Sequence, residues 1–322
     1  MSQNQDRPDI PLLVHIGYHK TGTTWLQKEL FTPESSSFLP LFNPGSPTAP
    51  KQLGKDFVRD RKGYLLSPFD SNREVILAET HALLGKRAPQ GKIPVLSYER
   101  LSGNPHSGGF DAKTIADRIR ASFPAARIFC VVREQRDMIL STYFQYLKIG
   151  GIDSLANYLN RSYDGRRPGF SPHHFDYSRL VAYYQQLFSP ERVLVLPYEM
   201  FRTDPERYLR RLGEFVSADI AGLAGKAKVF YNERAKNPII PRFPLLNLVF
   251  GKSSVNAYSP LHIPRSEAVV QAANRFLRMG GDSHIARLKQ RIEDYAGDRY
   301  VAGNRKLSDL TGLDLRDYGY YD

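Results

Sequence analysis

The order of elements along this 322-residue chain predicts an α/β fold, a central parallel sheet flanked by helices. Three observations carry the prediction. Short apolar runs alternate with longer stretches of helical periodicity. Each run is apolar nearly throughout, as strands buried on both faces require. A glycine-bearing loop, Gly17 to Gly22, stands directly between the first run and the first helical stretch, the order in which a phosphate site is built.

The first strand is Leu12 to Ile16, followed at once by Gly17. A helix follows the loop, with Trp25, Leu26, Glu29 and Leu30 at near-helical spacing. Residues 35–72 are rich in Pro, Ser, Gly and Asn and read as loops with short helical pieces. Next come a helix from Glu74 to Leu84, a strand from Ile93 to Tyr98, a helix from Ala112 to Phe123 and a strand from Arg127 to Val132. A long helix runs from about Gln135 to Ile149, and Gly150-Gly151 ends it as a C-terminal glycine does. A helix from Tyr177 to Leu187, a strand from Arg192 to Leu196 and a helix from about Pro205 to Val216 complete the regular part. Beyond about residue 225 the pattern weakens: a proline-broken segment from Asn237, helices near Arg265–Arg278 and His284–Ala296, then an irregular tail. With no internal repeat and no low-complexity segment, residues 1–322 read as one domain, residues 1–11 being a flexible N-terminus.

Composition narrows the function. With 41% hydrophobic and 24% charged residues the chain is not globally disordered. Its one cysteine, Cys130, excludes an internal disulfide and a multi-cysteine metal site, and lies in an apolar strand as a buried thiol. The formal net charge of +12 is spread along the chain, with no basic tail and no aromatic–basic RNA motif. No nucleic-acid partner is therefore expected, and an anionic small-molecule ligand accounts for the charge. His173-His174 has no carboxylate or cysteine at metal spacing and reads as a surface loop. The N-terminus is polar, and no apolar stretch reaches the ~20 residues that span a bilayer. A cytoplasmic location without a transmembrane segment is the expectation.

Gly17 and Gly22 have the spacing of the two glycines in a nucleotide phosphate loop, but Thr23 stands where that loop carries lysine, and the lysine lies inside, at Lys20. The physics survives the move. Glycines let successive N–H groups turn toward phosphate oxygens, the following helix adds its dipole, and Lys20 adds a full charge. Thr23 and Thr24 offer backbone and hydroxyl donors. No apolar strand ends in a clear partner Asp for Mg²⁺, which weighs against ATP or GTP hydrolysis. The plainer alternative is a strand-to-helix turn that happens to carry glycines.

Lys20-Thr21-Gly22-Thr23-Thr24-Trp25-Leu26 matches throughout the K-[ST]-G-T-T-x-L loop of the sulfotransferases that use 3'-phosphoadenosine-5'-phosphosulfate (PAPS). Their second landmark, a strand ending in Arg with a Ser eight residues on, is met by Ile128 to Arg133 and Ser141. Arg133-Glu134-Gln135, Val195 to Glu199 and Asp204-Pro205 make the resemblance strongest for bacterial members. The chain thus resembles the PAPS-dependent sulfotransferases over about residues 12–216. The resemblance implies a P-loop-like sulfotransferase α/β fold and transfer of a sulfuryl group from PAPS to an acceptor hydroxyl or amine, with no metal. It implies that Lys20 stabilises the leaving oxygen, and that Thr21, Gly22, Thr23, Thr24 and Trp25 form the donor loop. Arg133 and Ser141 are implied to hold the 3'-phosphate, in keeping with a guanidinium at a strand's C-terminal end.

The acceptor's proton needs a general base. Cytosolic relatives place a histidine near the end of the second core strand, where this chain has Ser97-Tyr98-Glu99. Glu99 is the positional candidate, against the alternative that it pairs with a structural cation or caps a turn. His81 and Glu79, between the two donor motifs, compete with it. His19 is expected to point away from Lys20 if the loop alternates. The basic charge and the carboxylate base point to a saccharide among possible small-molecule acceptors. The apolar segment from Asn237 to Phe250 reads as a core-covering loop, or alternatively as an acceptor lid or a peripheral membrane contact. Arg299, Asn304, Arg305 and Lys306 are tail candidates for the donor phosphates. Two other functions fit the loop: a P-loop kinase-like enzyme, and a non-catalytic nucleotide- or glycan-binding module. The oligomeric state has no signal in the sequence.

Overall fold

Five parallel strands form one sheet in the order β2-β3-β1-β4-β5: β1 (Leu13–His15), β2 (Phe38–Phe42), β3 (Ile93–Ser97), β4 (Arg127–Val132) and β5 (Val193–Pro197). The computed structural model describes residues 11–87, 91–160, 169–227 and 281–320. Four of the strands are those expected from apolar runs. β2 is a correction, because it lies inside the segment read as loop. Its sequence, Phe-Leu-Pro-Leu-Phe, is fully buried, and Pro40 in its middle disguises it. Proline lacks the N–H for a second ladder, and β2 is an edge strand that needs only one. The register with β3 shifts between Pro40 and Phe42.

Among the described residues, nine α-helices follow the short α1. After β1 come α1 (Thr23–Trp25), which continues as a π-helical turn over Leu26–Leu30, α2 (Arg73–Arg87) and α3 (Ala112–Ser122). They are followed by α4 (Gln135–Lys148), α5 (Leu155–Asn160), α6 (Tyr177–Phe188), α7 (Tyr198–Thr203) and α8 (Pro205–Val216). The last two described are α9 (Gly281–Ala296) and α10 (Val301–Thr311). The connection from β1 to β2 runs one way along the sheet, and those from β2 to β3, β3 to β4 and β4 to β5 run the other way. Right-handed crossovers therefore put α1 on one face and α2, α3 and α6 on the other. Packing agrees: α3 contacts both α2 and α6, while Trp25 and Tyr208 both lie against Phe201 of α7.

The irregular tail is a second correction. α10 packs on α6, and α9 packs on α4. Its periodicity is hidden because its buried stripe contains Asn304, a polar residue, beside Leu307. Asn304 exchanges hydrogen bonds with Gln135 at 2.6 and 3.2 Å and donates to the Tyr320 carbonyl at 2.5 Å, so it ties the C-terminus to α4. The segment Asn237–Phe250 and the expected helix Arg265–Arg278 lie outside the described residues.

Three histidines are enclosed in this framework. His15 on β1 is fully buried with its Nδ1 2.8 Å from Ser97 Oγ. His174, expected on the surface, is buried against the Tyr18 ring at 5.0 Å. His106 meets the Tyr158 hydroxyl at 3.2 Å. Burial pushes His15 and His174 down to about 3 and His106 to about 4. All three are neutral when folded and protonate near 6.5 when unfolded, so between those values the unfolded chain binds more protons. Stability is then retained above pH 6.5 and lost as pH falls below it. Thermal melts are expected to show the melting temperature dropping between pH 6.5 and 4.5; a level or rising profile would contradict neutral burial.

Candidate active site

The loop that leaves β1 emerges at the C-terminal edge of the sheet, on its central strand, where ligands of open α/β sheets bind. Its start stays zipped to β4: Ile16 N–H donates to the Phe129 carbonyl at 2.9 Å and Tyr18 N–H to the Val131 carbonyl at 3.1 Å. A side chain at Gly17 would put its Cβ 2.6 Å from His15 Nε2. The chain then reverses through two left-handed residues, Lys20 at φ 68° and Gly22 at φ 82°. At Gly22 this conformation favours glycine, and a Cβ would also lie 3.1 Å from the Tyr198 ring. At Lys20 it is a strained conformation of the kind that collects at ligand sites. The Thr21 hydroxyl donates to the Tyr18 carbonyl at 2.5 Å and closes the curl.

The curl encloses a cavity of about 110 Å³. Lys20, Gly22, Thr23 and Thr24 supply one wall, Glu99 and Gln145 the other, and His19 joins them. Three polar atoms of these residues, Thr23 Oγ1, His19 Nδ1 and Gln145 Oε1, are buried without a hydrogen-bond partner. Unsatisfied buried groups are rare in folded proteins, and three in one small cavity mark a place built to meet polar ligand atoms. His19 is held well below its usual pKa, first by burial and then by His106, His174, Arg100 and Lys20. The imidazoles around Lys20 are therefore neutral, and the fixed positive charge belongs to the lysine and to the arginines beside it.

Glu99 begins a 3-10 turn just after β3. Its carboxylate accepts from Gln27 Nε2 at 3.3 Å, and the same amide reaches Ser97 Oγ at 3.3 Å, which in turn meets His15. A polar chain from the sheet thus aims Glu99. No ion pair of Glu99 occurs among the described residues, and neighbouring Arg100 pairs with Asp111 instead.

Arg133 leaves the end of β4 toward the loop. Its guanidinium donates to the Lys20 carbonyl at 3.3 Å, pairs with Asp137 at 3.2 Å and lies 5.1 Å from the centre of the Tyr198 ring. Its Nε is buried and unpartnered. The Arg133 carbonyl accepts from the Tyr177 hydroxyl at 2.7 Å. Behind it Glu199 accepts from Glu134 N–H at 3.1 Å and from the Tyr320 hydroxyl at 3.2 Å, and burial raises its pKa. Ser141 lies half-buried on α4, one turn after Asp137 and one before Gln145, so these three share the helix face turned to the loop.

Of the residues expected from sequence, the structure brings Lys20, Gly22, Thr23, Thr24 and Glu99 into one cavity, with Arg133 adjoining. Thr21 spends its hydroxyl inside the loop. Trp25 is fully buried, its ring 5.0 Å from Phe201. His81 is exposed on α2, and Glu79 pairs with Arg61 at 2.7 Å; neither lines the cavity. Asn304 serves the fold, and Arg299 lies over the Tyr295 ring. His19, expected to point away, faces the cavity, because left-handed Lys20 breaks the alternation. Gln145 escaped the reading, although its four-residue spacing from Ser141 was a usable signal.

Comparison with known proteins bears on the fold. Residues 114–221 match the family model described as the sulfotransferase family, a stretch running from α3 through β4, α4 and β5 to α8. A comparison with curated proteins finds no match. The sulfotransferase from Alicyclobacillus acidocaldarius aligns at TM-score 0.54 and 14% identity, covering 96% of this chain and 98% of that one. A sulfotransferase domain of the Synechococcus PCC 7002 olefin synthase gives 0.43 at 16% identity, over 86% of this chain and 98% of that one. A mouse sulfotransferase complexed with PAP gives 0.40 at 13%, over 90% of each. The first of these alignments, above 0.5, establishes the shared fold. The chain has the α/β fold of the sulfotransferases, and its residues 114–221 match the sequence model of their family.

Proposed function

We propose that this chain transfers a sulfuryl group from PAPS to the hydroxyl or amine of a small acceptor, with a saccharide hydroxyl as the favoured class. The observation that carries the reading is the convergence of Lys20, Thr23 and Thr24 with Glu99 in one cavity, braced by Arg133 through the Lys20 carbonyl. PAPS supplies the activated sulfuryl group and leaves as adenosine 3',5'-bisphosphate (PAP). The unpartnered Thr23 hydroxyl is a donor ready for phosphosulfate oxygens, and Thr24 is exposed beside it. Lys20 neutralises charge that develops on the leaving oxygen as the sulfur–oxygen bond breaks. Arg133, with its unpartnered Nε, and Ser141 on the same side of the loop hold the 3'-phosphate. Glu99 takes the proton of the acceptor as the new sulfur–oxygen bond forms. The saccharide preference rests on the carboxylate base and on the net charge of +12.

Donor and site are tested together by thermal shift with PAP. Wild type is expected to be stabilised, Arg133→Ala to lose at least about tenfold in affinity, and ATP with Mg²⁺ to give no comparable shift. A response to ATP with Mg²⁺ alone would replace this reading by a kinase-like one. Gly22→Ala is expected to weaken PAP binding as strongly as Arg133→Ala, since it strains a left-handed turn against Tyr198. In PAPS turnover, Lys20→Ala and Glu99→Gln are each expected to lower kcat by about 100-fold or more, while Glu99→Gln leaves PAP affinity unchanged. His81→Ala should keep full activity; a loss there would move the base to α2. Profiling that finds only phenols or steroids sulfated would reject the saccharide class.

A further inference from the structure

The large hydrophobic side chains left exposed among the described residues are not scattered over the surface. They are Phe69 at 98%, Tyr64 at 71%, Phe110 at 59%, Leu65 at 53% and Val75 at 40%. Four of the five fall within twelve residues, in the connection from β2 to α2 and the first turn of α2. Phe110 lies in the connection from β3 to α3. The start of α2 lies beside the C-terminal end of α3, where Arg73 Nε donates to the Ala121 carbonyl at 2.7 Å.

The segment that presents them is built rigidly from beneath. Arg118 of α3, itself 6% exposed, donates to three carbonyls of the connection: Phe57 at 2.9 Å, Ser67 at 2.6 Å and Asp70 at 3.1 Å. Asn72 donates to the carbonyls of Asp56 and Arg59 at 3.0 and 3.1 Å. Within the connection, Asp60 N–H and the Tyr64 carbonyl, and Leu66 N–H and the Val58 carbonyl, are paired at 2.9 and 3.0 Å. A buried arginine spent wholly on loop carbonyls holds Phe69 out in solvent in a defined place. Water alone gives no reason to fix an apolar tip there, since exposed apolar area is unfavourable by about 25 cal/mol per Å².

The surroundings of the patch say what covers it. Residues 51–62 hold five exposed cations, Lys51, Lys55, Arg59, Arg61 and Lys62, against two carboxylates. Asp56 is fully buried beside Arg61, and the Asp60 side chain accepts from the N–H groups of Lys62 and Tyr64. Aromatic and aliphatic tips beside a basic stretch are the combination that enters the headgroup region of an anionic bilayer.

We propose that the surface of this connection docks the protein on an anionic phospholipid bilayer, with Phe69, Leu65 and Tyr64 entering the interface and the Lys51–Lys62 stretch facing the headgroups. The contact lies outside the donor cavity, so it stands or falls separately from sulfuryl transfer.

Cosedimentation of the full chain with vesicles tests this. Vesicles of phosphatidylcholine with about a third phosphatidylglycerol are compared with phosphatidylcholine alone. Wild type is expected to bind the anionic vesicles and to bind them more tightly than the neutral ones. The double variant Leu65→Ser/Phe69→Ser is expected to lose at least about tenfold in binding. Lys55→Gln/Lys62→Gln is expected to lose the preference for phosphatidylglycerol. Because these side chains are exposed, each variant should keep the wild-type melting temperature. Failure of the wild type to bind anionic vesicles, or binding that Leu65→Ser/Phe69→Ser leaves unchanged, overturns the proposal. A patch variant that changes only the oligomeric state would assign the surface to a second copy of the chain instead, and also overturns it.

Discussion

The reversal of the chain at Lys20 and Gly22 is the constraint on which the rest of the site depends. Two left-handed residues within three positions are unfavourable for an L-amino acid at the first and natural for glycine at the second. The turn is held from every side. The strand before it is zipped to β4, the Thr21 hydroxyl closes it internally, Arg133 takes the Lys20 carbonyl, and the Tyr198 ring abuts Gly22. The same turn that strains Lys20 aims it, with Thr23 and Thr24, into a common cavity.

Sheet order explains why the partners of that turn come from distant parts of the chain. With β1 central, its C-terminal loop is flanked by the end of β3, which carries Glu99, and by the end of β4, which carries Arg133. α4 then rises from β4 with Asp137, Ser141 and Gln145 on one face. Glu134 caps that helix, its carboxylate accepting from the N–H groups of Arg136 and Asp137, so the helix starts where Arg133 needs to end. Basic, acidic and hydroxyl groups thus meet without any of them being near the others in sequence.

Behind the cavity lie two polar networks that orient it. One runs from His15 through Ser97 and Gln27 to Glu99. The other joins Gln135, Asn304, Tyr320 and Glu199, and so stitches the C-terminal helices to the strand end that bears Arg133. Buried polar chains of this kind hold one arrangement because leaving any member unpaired is costly. They also give the C-terminal part of the chain a role in the site without a direct contact in the cavity.

Local signals in the sequence by themselves determined four of the five strands, the glycine loop with its displaced lysine, and Arg133 at a strand end followed by Ser141. Each of these is legible because it depends on apolar runs, glycine spacing or a helical offset within about a dozen residues. Only the tertiary structure decided the rest. Pro40 concealed β2 until its edge position showed that one ladder was enough. His19 turned inward because Lys20 is left-handed, and His174 became core because the Tyr18 ring covers it. Glu99 lines the cavity and His81 and Glu79 do not, because the end of β3 faces the loop. Asn304 reads as an ordinary polar tail residue until Gln135, 169 positions away, is found beside it. Contacts across such separations follow from packing, and no periodicity along the chain encodes them.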